Sequence, residues 1–71
     1  MFDFRMSLSE NFASFRDGKT ENFVFVDSFD NHEFSVRMGT LRDSRLIGTV
    51  VAKSSEDLNS KLRELVTNEL E

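Results

Sequence analysis

The spacing of apolar residues changes once along this chain, at Ser54, and that change constrains the fold more than any other feature. Up to Ala52, apolar side chains alternate with polar ones or run in short blocks. Beyond it, Leu58, Leu62, Leu65, Val66 and Leu70 recur every third or fourth residue. The first pattern suits strands with one buried face; the second suits a helix with one apolar stripe. Strands followed by a single helix make an α+β chain.

The helix is expected over about 55–70. Ser54 is placed to cap its first turn, with Asp57 three residues on as a short capping box. Glu56 and Asp57 suit the positive end of the helix dipole. Upstream, Phe2, Phe4, Met6 and Leu8 alternate with polar residues and read as a half-buried strand. Phe23–Val26 is an unbroken apolar run, and Phe34, Val36 and Met38 alternate again. Leu46–Ala52 is rich in β-branched residues and reads as the last strand. Residues 9–17 fit two readings. Ser7 with Glu10 makes a capping box for a helix, whereas Asp17–Gly18 is a hairpin signal that pairs Phe12 with Phe23. The poor helix formers Ser9, Asn11 and Ser14 favour the strand.

Turn positions imply a register. A tip at Asp30–Asn31 sets Phe25 against Val36 and Phe23 against Met38. A tip at Asp43–Ser44 sets Val36 against Val51 and Gly39 against Gly48, where the paired glycines suggest a bulge or a close approach of backbones. The helix should then cover Phe23, Phe25, Phe34, Val36 and Val51. The opposite face would present Val24, Val26, Leu41, Leu46 and Val50, interrupted by Arg37. The expected fold is α+β: an antiparallel β-meander of four to five strands with one C-terminal helix, about 55–70, packed on one face. It forms a single small domain over 1–71.

Composition narrows the function. The chain has 71 residues, eight Phe and no Cys, Pro, Trp or Tyr. All eight Phe lie in the first 34 residues. Without cysteine there is no disulfide framework and no thiolate metal site. No apolar run approaches the ~20 residues of a membrane span, and no basic-then-apolar segment opens the sequence, so a cytoplasmic protein with no membrane partner is expected. The net charge of −4 opposes non-specific binding to a nucleic-acid backbone. It is unevenly spread: Arg37, Arg42, Arg45 and Lys53 form a basic strip between two acidic segments.

Candidate chemistry is sparse. His32, the only histidine, stands beside a turn, where Ser28 and Asp30 offer no sheltered triad. Asp27, Asp30, Asn31 and Glu33 lack the glycine and spacing of a calcium loop. Gly18-Lys19-Thr20 lacks the glycines and flanking elements of a phosphate loop. No catalytic residue, metal ligand or cofactor site is assigned, and the chain is read as no enzyme.

Sequential antiparallel strands before a C-terminal helix resemble the double-stranded RNA-binding domain in topology, with His32-Glu33-Phe34, Gly48-Thr49 and Ser54-Ser55 in matching order. That family places a basic cluster at the start of its last helix, where this chain has Glu56-Asp57-Leu58-Asn59-Ser60. The likeness is one of topology alone.

The sequence therefore favours a small acidic protein-interaction module whose partner is another protein. In size and composition it is similar to small inhibitors of the phage or mobile-element type that bind a host protein. Two alternatives remain. One is a nucleic-acid-binding domain using the basic strip; the other is a homodimeric structural subunit. The candidate partner-binding residues are Arg37, Arg42, Arg45, Val24, Val26, Val50 and Phe29, the last because the register gives it no place in the core.

Overall fold

The structure, a computed structural model, describes residues 2–19 and 21–70. It has four strands and one helix: β1 (Phe12–Arg16), β2 (Phe23–Asp27), β3 (Glu33–Gly39), β4 (Ser44–Val51) and α1 (Ser55–Leu70). The strands form one antiparallel sheet in the order β1-β2-β3-β4. This is the expected α+β meander with its C-terminal helix, and residues 12–16 take the strand alternative.

The register differs from expectation by one residue between β2 and β3. Val24 pairs with Met38 and Val26 with Val36, so Phe25 lies opposite Arg37. Because side chains alternate along a strand, a one-residue slip exchanges the two faces. Val24 and Val26, expected on the open face, are wholly buried in the core on the covered face, and Phe23 and Phe25 point the other way. The cause lies in the loop. A two-residue tip at Asp30–Asn31 does not form. Instead Ser28–His32 is closed by side chains, with Asn31 at φ 56°. Ser28 Oγ donates to Glu33 O at 2.7 Å and accepts from Asn31 N at 2.9 Å. The Asp30 carboxylate accepts from His32 N and Glu33 N at 2.9 and 3.0 Å. Short polar side chains here replace the backbone hydrogen bond of a tighter turn.

A second shift occurs between β3 and β4. The connection is Thr40–Asp43, closed by Thr40 N donating to Asp43 O at 2.9 Å, with Gly39 opposite Ser44. Ile47 is then an extra residue, a bulge between the Val36–Gly48 and Arg37–Leu46 pairs. Gly39 and Gly48 are not partners, but the bulge falls beside Gly48 as anticipated. Val50 pairs with buried Phe34 and packs on the core, whereas Val51 is exposed; both reverse the expected faces. The β1–β2 hairpin also runs longer: Phe12 pairs with Asp27 rather than Phe23.

The core lies between one sheet face and two covers. Leu58, Leu62 and Val66 of α1 share one core with Phe34, Val36, Val24 and Val26. Gly48 lets the helix come close, since a Cβ there would lie 3.1 Å from Leu65 Cδ1. The helix begins as its sequence indicates, with Ser54 Oγ accepting from Asp57 N at 3.1 Å.

The second cover is the N-terminal segment. Phe2, Phe4 and Met6 are buried in alternation, as read from the sequence, but no strand forms there. The Asn59 side chain takes the place of a neighbouring strand: Oδ1 accepts from Met6 N at 2.8 Å and Nδ2 donates to Met6 O at 2.9 Å. Leu8 N donates to Ser55 Oγ at 2.8 Å, and Phe4 meets Phe15 edge-on with centroids 4.9 Å apart. Helix and segment share one face of the sheet, and the other face carries no cover among the described residues.

Candidate docking face

The uncovered face is built by alternation. Phe12, Ser14 and Arg16 of β1 stand beside Phe23, Phe25 and Asp27 of β2. Glu33, Ser35 and Arg37 of β3 follow, then Leu46, Thr49 and Val51 of β4. Phe23 and Phe25, two residues apart on one strand, stack with centroids 5.8 Å apart and planes 7° from parallel. Arg37 lies across from Phe25, and its guanidinium donates to Asp27 at 3.1 Å.

Exposed apolar side chains collect here. The large ones exposed among the described residues are Phe12, Phe29, Leu41, Leu46, Val51 and Leu70. Phe12, Leu46 and Val51 lie on the open face by register. Leu41 and Phe29 stand at its two ends, on the β3–β4 and β2–β3 turns. Only Leu70, at the end of α1, lies elsewhere. Phe12 is 56% exposed and Leu46 59%.

Phe29 is fully exposed on a loop that its neighbours hold in shape. Asp30 Oδ1 accepts the two backbone N–H groups described above. These bonds, first Glu33 N–H and then His32 N–H, hold the Asp30 carboxyl below its ordinary pKa. Asn31 Nδ2 ties the same loop to Leu8 O at 2.9 Å and Glu10 O at 3.2 Å.

At the opposite end, Arg16, Glu21, Phe23, Thr40, Leu41 and Arg42 surround an open cleft of about 580 Å³. Arg16 and Arg42 form no ion pair with any described residue, unlike Arg5, Arg37, Arg45 and Lys61, which pair with Asp3, Asp27, Glu69 and Asp57.

The basic strip does not assemble. Arg37 belongs to the open face, whereas Arg45 pairs across from buried Met38 and reaches Glu69 on the helix side. Arg42 is on the β3–β4 turn, and Lys53 lies just before α1. Of the residues singled out from the sequence, Arg37, Arg42 and Phe29 belong to this face or its ends. Val24, Val26 and Val50 belong to the core beneath the other face. Sequence reasoning missed Phe12, Arg16, Phe23 and Phe25 as surface residues. The alternating Phe-Val-Phe-Val of β2 fits either face, and only the Ser28/Asp30/Asn31 loop composition carried a sign of the longer connection.

No three His, Cys, Asp or Glu side chains converge to hold a metal among the described residues. His32 is exposed, and its backbone N–H serves the Asp30 loop. Among the described residues no helix is long and apolar enough to cross a membrane. The fold and face define an open-sided α+β protein with one aromatic-rich sheet surface. No family model, curated protein or solved structure matches the chain at a significant level.

Proposed function

We propose that this chain is a non-enzymatic protein-interaction module that docks a partner protein on the open face of its sheet. The observation that carries this reading is the segregation of exposed apolar side chains onto that face and its two ends. Scattered apolar residues on a surface need no explanation; here Phe12, Leu46 and Val51 share one face with the stacked Phe23–Phe25 pair, with Asp27, Ser35, Arg37 and Thr49 set between them. Composition supports a protein partner. The centre of the face combines Phe23 and Phe25 with Arg37, residue types enriched at the centre of protein interfaces, while Asp27 and Glu33 lie toward one end. Phe23 and Phe25 are half-buried by each other, so they lose little rotamer freedom when covered.

A nucleic-acid strand is less well served. Asp27 neutralises Arg37 in the middle of the face, and the chain is net negative. A phosphate chain laid along the sheet would find few free cations.

The test is affinity capture with wild-type protein and an F12S/F29S/L46S variant in parallel. All three side chains are exposed, so the variant should keep the wild-type melting temperature. A protein bound by wild type and lost from the folded variant supports the reading. Equal capture by both refutes it. Nuclease-sensitive recovery would favour the nucleic-acid alternative. A wild-type dimer that the variant dissolves, seen by light scattering, would identify a second copy as the occupant.

A further inference from the structure

The cleft at one end of the docking face has a charge balance that indicates what it binds. Arg16 from the end of β1 and Arg42 from the β3–β4 turn line it together, with Phe23 and Leu41 supplying its apolar surface. Glu21 is its only acidic lining residue among those described. Neither guanidinium is engaged by Glu21 or by another described residue. Four of the nine Lys and Arg pair with carboxylates; among the described cations that do not, Arg16 and Arg42 are the two that line one cleft beside apolar side chains.

Resting on the reading of the open face as a protein-docking surface, we infer that this cleft is a carboxylate-recognition subsite. Its ligand is an acidic segment of the partner: a Glu or Asp side chain held between Arg16 and Arg42, with a neighbouring apolar side chain against Phe23 and Leu41. The planar guanidinium fork suits a carboxylate, and two such groups from different elements receive one anion from two directions. A single localised anion fits better than a polyanion. The arginines supply two charges, Glu21 offsets one, and the next cation along the face, Arg37, is already paired with Asp27. The subsite supplies orientation as well as affinity, because a carboxylate at this end fixes which way the partner lies on the sheet.

The test is a nuclear magnetic resonance titration of the isotope-labelled full chain with the peptide Ac-Glu-Leu-Glu-Leu-NH2. The controls are the Gln counterpart Ac-Gln-Leu-Gln-Leu-NH2 and a thymidylate oligomer. The Glu peptide should shift the amide signals of Arg16, Phe23, Leu41 and Arg42, and the Gln peptide should bind several-fold more weakly. Exposed ion pairs are individually modest, so R16Q and R42Q should each weaken binding about threefold and the double variant about tenfold. The melting temperature should be unchanged, because both side chains are exposed and lack partners among the described residues. Equal response to the Glu and Gln peptides, or no shift at the cleft at millimolar peptide, overturns the inference. Tighter binding of the thymidylate oligomer than of the Glu peptide also overturns it. The two readings fail separately. If F12S/F29S/L46S loses a captured partner but R16Q/R42Q and the peptides show no charge preference, the docking face stands and the subsite does not.

Discussion

Replacing Asn59 by Ala should remove a fastening that stands in for a missing strand. The N-terminal segment contributes Phe2, Phe4 and Met6 to the core, yet it pairs with no strand. Its backbone at Met6 is satisfied by one side chain, through bonds of 2.8 and 2.9 Å to both sides of the Asn59 amide. Asn59→Ala removes both at once and leaves a backbone N–H and C=O at a residue that is 2% exposed. Each lost bond costs about 1 kcal/mol net, and more where water cannot replace the partner, so the expected loss is about 2–3 kcal/mol. A chain of this size holds roughly 4–10 kcal/mol in total. The melting temperature should therefore fall by about 10–20 °C. Urea denaturation followed by far-ultraviolet circular dichroism measures the loss directly. Hydrogen exchange adds a local readout, because the Met6 amide should lose protection more than the amides of β3. A loss below about 0.5 kcal/mol would show that water replaces Asn59 without cost and would refute the fastening argument.

The assignment of faces predicts a contrast: Val24→Ala should cost about 2 kcal/mol through a core void, whereas Phe12→Ser should cost less than about 0.5 kcal/mol, as chemical denaturation would show. Gly39→Ala should destabilise by about 2 kcal/mol or more, because its Cβ would overlap the Asp43 carbonyl oxygen and the backbone there cannot yield; Gly48→Ala, which meets only the flexible end of Leu65, should cost far less. Removing the helix cap with Ser54→Ala should cost about 1 kcal/mol in the same assay. Two carboxyls set a dependence on pH. Asp57 is held below its ordinary pKa first by a hydrogen bond from Lys61 and then by one from Lys53 N–H, and Asp30 by its loop N–H groups. A depressed native pKa contributes stability that is present at neutral pH and lost as the pH falls through the native values. The melting temperature should thus decline below about pH 4, and D30N/D57N should flatten that decline.

Much of this architecture follows from local rules. The helix was legible because Leu58, Leu62 and Val66 repeat at helical spacing and Ser54 caps the first turn; neither depends on distant residues. The strands were legible from alternation, and even the unpaired N-terminal segment showed its burial pattern in Phe2, Phe4 and Met6. The identity of the open face was not legible, because alternation determines that two faces exist without saying which is inside. In β2 both sets are apolar, and a one-residue change in the Ser28–His32 loop exchanges them. That choice belongs to the tertiary structure. Phe34, Phe2, Phe4 and Phe15 already bring bulk to the covered side, and β2 supplies the smaller Val24 and Val26 beneath it. The concentration of Phe in the first 34 residues thus divides between two roles, core and open face. The elements and their order follow from near neighbours along the chain. Only the packed structure decided that Phe12, Phe23 and Phe25 face outward and that Arg16 and Arg42 share a cleft, since those depend on loop closure and on which side chains the helix can cover.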